Sequence, residues 1–471
     1  MQANIFFGST EAIRENNSPR KSPYNAKEVS FAPICNTEDA KKALDIANNA
    51  RHNARASTLA QRCDWLLDVA GKLKEHKEDL AKTITDEVGK PITFARVEVE
   101  RCIETITLSA ETMRTMHGET INTDAMNSGK KTLSFFRREP VGVVVAITPF
   151  NFPLNLVAHK LGPALVAGNT VVLKPTPEAP LTAYKFAKLF IESKYAIKDA
   201  LSVVYGDAEV GSALISSDIP RVISFTGSVP VGNIITKNSG IKKIGLELGG
   251  NAATFVEKSA DLSLAAQRCA LGAFVNSGQV CISLQRIYVQ AEVYDEFSTL
   301  MAEETKKLKV GSPYEDDTFM GPLIDDDAAS RAMAWVESAI EEGAKPLLPP
   351  HREGRMFHPC VMANVRDDMA IVCEEVFAPI VSLVKVESFD DALPRMNNSP
   401  YGLQFSVFTN DLRITNRAID ELNAGGIVIN DMPTLRFDIQ PYGGVKLSGV
   451  GREGPRFAIE EMTEIKSIVI C

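Results

Sequence analysis

The chain has 471 residues, 45% of them apolar and 24% charged, with a formal net charge of −9. That length allows two or three domains with sizeable cores, and the acidic balance disfavours a nucleic-acid partner, since neutralising phosphates needs a basic face. No apolar run reaches the roughly 20 residues of a membrane helix, and the stretch Met1–Gly8 lacks the basic and apolar segments of an export signal.

Residues 9–36 are polar and broken by Pro19, Pro23 and Pro33, with short β-like pieces such as Val29–Phe31. From Asp39 to about Met116 apolar residues recur at helix spacing, as in Leu59, Cys63, Leu66 and Leu67. Gly118 to Arg138 alternates as a polar hairpin around Asn127-Ser128-Gly129, and two such strands need a partner sheet. Next come β-branched runs at Val141–Ile147, Thr170–Leu173, Ser202–Tyr205 and Val222–Phe225, with helical segments between them. This alternation predicts an α/β fold built on a buried parallel sheet, whose ligands sit beyond the C-terminal strand ends. Asn151, Lys174, Gly206 and Gly227 fall at those ends. A second α/β unit follows, with a helix over Ala260–Ala273 and later strands at Ile287–Val289, Val381–Val386, Gln404–Phe408 and Ile427–Ile429.

Phe274-Val275-Asn276-Ser277-Gly278-Gln279-Val280-Cys281-Ile282-Ser283 places one cysteine among small and amide residues, where a small molecule can reach the thiol. Thiols are good nucleophiles where positive potential or N–H groups surround them; the alternative is a buried structural cysteine. Glu247, between Leu246 and Leu248 and before Gly249-Gly250, reads as a partly desolvated carboxylate suited to general-base work, or else as a salt-bridge partner. Asn151 lies in a turn stiffened by Pro149 and Pro153, and its amide suits an oxyanion as well as a plain turn. Phe225-Thr226-Gly227-Ser228 leaves a strand and enters a helix, an arrangement that accepts phosphate. The eight cysteines form no CxxC pair, which points to reduced thiols and a cytoplasmic location. His117 and His358 lack ligand spacing, so no metal is expected.

Together these stretches resemble the aldehyde dehydrogenase superfamily over nearly the whole chain, with Pro149–Pro153, Lys174-Pro175, Phe225–Ser228, Leu246–Gly250, Gly278–Cys281, Glu374–Phe377 and Pro441–Lys446 as landmarks. The resemblance implies Cys281 as catalytic thiol, Glu247 as base, and Asn151 with the Cys281 backbone N–H as oxyanion hole. It implies NAD or NADP in a cradle of Thr148, Pro149, Lys174, Gly206, Phe225, Gly227, Ser228, Leu248, Glu375 and Phe377. Pro177 stands where many NAD-preferring relatives carry Glu, so NADP fits as well as NAD. The implied architecture is a Rossmann-like cofactor domain (1–117 and 138–246), an α/β catalytic domain (247–447), and an oligomerisation flap and C-terminal segment (118–137 and 448–471). The flap, made of the Gly118–Arg138 hairpin and a C-terminal strand at Ile465–Cys471, would pair across subunits in a homodimer or homotetramer.

The stretches 431–438 and 451–464 resemble the branch acting on small oxygenated or anionic aldehydes, such as the lactaldehyde, sulfolactaldehyde, phosphonoacetaldehyde and glyceraldehyde-3-phosphate enzymes. Arg436 is the expected anion anchor and Arg101 a second, because a guanidinium fork suits carboxylate, sulfonate or phosphate. His159 and Lys160 read as supporting residues. Competing readings are a CoA-acylating dehydrogenase, for which a water-activating Glu247 is superfluous, a cysteine hydrolase, which lacks a histidine partner in the sequence around Cys281, and a silent binding protein.

Overall fold

Five short apolar runs, Leu201–Val203, Thr170–Lys174, Val143–Ile147, Val222–Thr226 and Lys243–Glu247, lie side by side in that order as parallel strands. The computed structural model describes residues 1–471 in full. The three strands 143–147, 170–174 and 222–226 are β-branched and almost wholly buried, as strands covered by helices on both faces must be. Their order reverses between Val143–Ile147 and Val222–Thr226, which opens a crevice at the C-terminal edge. Register puts Ile147 beside both Lys174 and Phe225, and Thr226 beside Glu247, so the chemistry-bearing ends stand in one row.

Antiparallel pieces finish this sheet. Ile5–Phe7 pairs with Leu201–Val203 and with Thr10–Ala12, while Gly449–Val450 pairs with Leu246–Glu247. The N-terminal strand is too short to show a period, so its place in the sheet was not anticipated. Residues 37–115 form four helices, as the periodicity predicts. The first, Thr37–Ala56, starts with a capping box between Asn36 and Asp39. The last, Ile92–Thr115, runs along the crevice and carries Glu98 and Arg101.

A second, seven-stranded sheet runs Lys345–Pro346, Cys360–Ala363, Ile380–Val386, Leu284–Gln290, Ala252–Val256, Gln404–Phe408 and Gly426–Ile429, parallel except at its first pair. The unanticipated strand Ala252–Val256 follows directly on the glycine pair after Glu247, and its first residue stands beside Leu284, just past Cys281. The last strand of the first sheet and the cysteine loop therefore meet where the two sheets adjoin.

The hairpin strands Thr120–Asn122 and Leu133–Pro140 find their partner within the same chain: Thr463–Ile470 pairs antiparallel along the full length of Leu133–Pro140. The first pairing of the hairpin is thus intramolecular. It leaves an eight-residue edge strand with Ile465, Val469 and Ile470 more than half exposed.

Candidate active site

The helix Leu262–Phe274 ends at a sharp reversal in which Asn276, Ser277 and Gly278 have φ of 51°, 57° and 71°. Non-glycine residues in this left-handed region cost about 1–3 kcal/mol each, so the surroundings must hold them there. Ser277 Oγ donates to the Gly321 carbonyl at 2.8 Å, Asn276 Nδ2 donates to the Gln279 carbonyl at 3.4 Å, and Gln279 Oε1 accepts from the Ile324 N–H at 2.9 Å. The turn delivers Cys281, half-buried, to a cavity of about 480 Å³. Burial pushes its thiol up to about 12, with the Tyr442 hydroxyl, 3.1 Å from Sγ, opposing. The backbone N–H of Cys281 makes no hydrogen bond within the protein.

Glu247 closes the strand Lys243–Glu247 at the edge of the same cavity. It is buried, Oε2 has no hydrogen-bond partner, and burial reinforced by the neighbouring Glu453 carboxylate lifts its pKa well above the ordinary carboxylate range. The two following glycines are a packing requirement. A Cβ on Gly250 would collide with the Cys281 carbonyl, and one on Gly249 with the Glu375 carboxyl group. Asn151 also lines the cavity, its Nδ2 donating to the Gln279 carbonyl at 3.0 Å and its Oδ1 unpartnered. Thiol, carboxylate and carboxamide thus share one space, although the chain separates them widely.

Pro149, Gly227, Ser228, Leu248, Glu375 and Phe377 line this cavity too. Ser228 starts the helix Val229–Asn238 without using its side chain as a cap, so the first-turn N–H groups of Val229 and Val231 are left without partners beside the cavity. That is the setting in which a helix end binds phosphate. Glu375 accepts from the Gly250 N–H at 2.9 Å, and burial raises its pKa to about 7. Phe377 has φ of 49° and packs edge-on to Phe150, ring centroids 6.1 Å apart. Thr148, Lys174, Gly206 and Phe225 stand outside the cavity lining. Phe225 is buried beneath Gly227, the Thr148 N–H donates to the Lys174 carbonyl, and Lys174 and Gly206 lie further along the strand ends. Burial lowers the Lys174 pKa, with the Glu178 and Asp207 carboxylates opposing. A carboxylate therefore faces Lys174 from Glu178, one residue beyond the position that Pro177 leaves empty of charge. The uncapped helix end, the buried lysine cation and the Glu375 carboxylate are groups that fit a dinucleotide, which needs N–H donors for phosphate and charged partners for ribose hydroxyls.

The opposite wall is charged. Arg436 and Arg101 both line the cavity. Arg436 lays its guanidinium 3.7 Å over the Tyr442 ring centre, with Nη2 3.4 Å from Glu453 and Nε unbonded. Arg101 forms a two-pronged ion pair with Asp438 at 2.7 and 2.9 Å, which leaves Nη1 for the cavity. His159 Nε2 lies 3.0 Å from Asp438 Oδ1, and Lys160 Nζ donates to Glu453 at 2.9 Å and to Thr226 Oγ1 at 2.7 Å. Against the opposing effect of burial, His159 and Arg101 hold Asp438 well below the usual carboxylate range. Lys160, His159 and Arg436 likewise pull Glu453 down to about 2 against its burial. The buried Lys90–Glu98 pair also lines the cavity, and Glu98 accepts from the Leu154 and Asn155 N–H groups at the start of the helix Asn155–Val166. Tyr442, Asp438 and Glu453 had no role in the sequence reading; each sits within a stretch that carries the resemblance, but no local pattern marks it as part of a site.

The aldehyde dehydrogenase family matches residues 10–468. A 3-sulfolactaldehyde dehydrogenase of Priestia aryabhattai is 42% identical over 448 residues, covering 95% of this chain and 93% of that one. Among solved structures, the glyceraldehyde-3-phosphate dehydrogenase GapN of Methanocaldococcus jannaschii complexed with NADP superposes with a TM-score of 0.93 at 39% identity, covering 97% and 100% of the two chains. Aldehyde dehydrogenase 21 of Physcomitrella patens in complex with its reaction product succinate superposes with a TM-score of 0.96 at 35% identity, covering 100% and 98%.

Proposed function

The chain belongs to the aldehyde dehydrogenase family, and from that premise we propose that Cys281 is the nucleophile of an enzyme for small aldehydes bearing an anionic group. It is an NAD(P)-dependent aldehyde dehydrogenase of the α/β class. The observation that carries the substrate reading is the placing of Arg436 and Arg101 in the wall of the cavity that holds Cys281. Among the relatives, sulfolactaldehyde, glyceraldehyde 3-phosphate and the product succinate carry a negative group, while lactaldehyde is oxygenated and neutral.

The residues support the following chemistry. The sulfur attacks the aldehyde carbon, and the Asn151 amide and Cys281 N–H donate to the new oxyanion; one such donor contributes about 2.7–4 kcal/mol to a transition state. The bound dinucleotide supplies the hydride acceptor. Cys281 is left as a thioester, and Glu247 removes a proton from the water that attacks it. The acid departs and the sulfur returns to its starting state.

Residues 1–117 with 138–246 serve the cofactor in this reading, 247–447 serve catalysis, and 118–137 with 448–471 serve assembly. The exposed apolar edge strand Thr463–Ile470 supports a homo-oligomer, a dimer or tetramer paired through it. No helix is long and apolar enough to cross a membrane. All eight cysteines are free, which supports a reducing compartment, the cytoplasm.

The test is a panel of short aldehydes, neutral and anionic, assayed with NAD and NADP on the native protein and on Arg436→Met. Charge-assisted hydrogen bonds contribute about 1.5–3 kcal/mol, so KM for the anionic aldehydes should rise about 10- to 100-fold in the variant while neutral ones change little. An unchanged KM for every anionic aldehyde would remove Arg436 from substrate binding.

A further inference from the structure

We propose that Tyr442 is a catalytic residue of this site: its hydroxyl is the hydrogen-bond partner of the Cys281 sulfur and sets the pH at which that sulfur becomes a nucleophile. The inference rests on the reading of Cys281 as the nucleophile. The contact is 3.1 Å and is the one side-chain hydrogen bond of the Tyr442 hydroxyl. A buried hydroxyl costs free energy unless it is bonded, and a phenylalanine would fill the same pocket among Val280, Ile282 and Leu403 without that cost. The hydroxyl is thus there for the sulfur.

Two features fix and activate it. The Tyr442 backbone is clamped in both directions to Glu453, N–H to carbonyl at 3.1 and 2.6 Å. The Arg436 guanidinium lies 3.7 Å over the ring centre, and a cation on that face draws electron density from the phenol and strengthens O–H donation. When the thiol ionises, its proton passes to solvent, the phenolic proton stays on oxygen, and O–H donates to the sulfur anion. The other charged groups facing the thiol divide: Glu375 and Glu247 disfavour the anion, and Arg436 favours it. Tyr442 adds a hydrogen bond that favours the thiolate against burial, the largest opposing effect, and it ties the nucleophile to the arginine proposed to hold the substrate anion.

The experiment is the rate of Cys281 alkylation by iodoacetamide as a function of pH, read by the mass of the Cys281 peptide, in the native protein and in Tyr442→Phe. Expected is an upward shift of the profile by about one pH unit, hence an about tenfold slower reaction at neutral pH, with an unchanged unfolding midpoint. A profile that does not move in the folded variant overturns the proposal. Should Tyr442→Phe fail to fold, 3-fluorotyrosine at position 442, a more acidic phenol and stronger donor, should move the profile down; no movement there overturns it equally. Alkylation is read at Cys281 whether or not that residue performs the reaction. The separate reading of Cys281 as nucleophile fails only if Cys281→Ala keeps its dehydrogenase activity.

Discussion

The two walls of the cavity are built on opposite plans. The wall of Cys281, Asn151 and Glu247 leaves polar atoms unsatisfied: Asn151 Oδ1 and Glu247 Oε2 have no partners, and the loop beneath Cys281 is held in left-handed turns. The wall of Arg436, Arg101, Asp438, Glu453 and Lys160 pairs nearly every charge. Two buried glutamates show the consequence. Glu247 faces burial and a second carboxylate, with Arg436 and Lys160 opposing at a distance, and its pKa climbs; Glu453 is buried too, but Lys160 donates to it directly, and its pKa falls. Burial alone does not decide what a carboxylate does; a cation bonded to it does. Groups that must change charge are kept short of partners, and groups that must hold a charge are surrounded by them.

Replacing Cys281 by Ala breaks the comparison most severely. Loss of a nucleophile costs on the order of 10⁴–10⁶ in turnover, while the paired wall and its substrate affinity should be untouched, as equilibrium binding of an anionic aldehyde can show. Glu247→Gln comes next, with steady-state turnover down about 10²–10⁴-fold, the usual range for a general base. A rapid-mixing assay should still show the first burst of reduced cofactor, because only release of the thioester is impaired. The sign of the pH effect follows from the raised pKa. Glu247 is a base only when ionised, so native kcat should fall on the acid side well above the ordinary carboxylate value of 4.5, and this limb should vanish in the variant.

Glu453→Gln tests the paired wall and should act mainly on stability; because the Glu453 carboxylate also lifts the Glu247 pKa, the acid limb of kcat should move down in the same variant. It leaves the buried Lys160 without its carboxylate, a loss of about 3–5 kcal/mol measurable by denaturant unfolding. Because the folded pKa is depressed, the stability that Glu453 contributes is present above 4.5 and lost as pH falls toward about 2. The variant should lack that component of acid sensitivity. The smallest effect belongs to Glu178→Gln. Removing the carboxylate beside Lys174 should move the kcat/KM ratio toward NADP by several-fold, the size of one partly exposed charge interaction.

Much of the unsatisfied wall could be located in the chain without coordinates. A cysteine in an Asn-Ser-Gly-Gln run and a glutamate between leucines are odd residues in apolar surroundings, and oddness is a local property. The parallel strands announced themselves in the same way, as β-branched runs between helical segments. The strand Ile5–Phe7 escaped because three residues show no period, and Ala252–Val256 because two of its five residues are alanines, which carry little strand signal. The resemblance joined the hairpin and the C-terminal strand in one flap but set their pairing across subunits; that Leu133–Pro140 and Thr463–Ile470 pair within one chain could not be read, because complementarity between distant edges leaves no mark on either one.

The order of residues by itself determined which groups are available for chemistry, because side-chain type, turn residues and strand and helix periodicity are written locally. The tertiary structure alone decided how those groups are tuned. Asp438, Glu453, Lys160 and Tyr442 are ordinary residues in sequence. They become a charged wall and a thiol partner only when folding brings their charges and hydroxyl within hydrogen-bonding distance inside a buried space. Electrostatic coupling depends on distance and dielectric, and neither is a property of position in the chain.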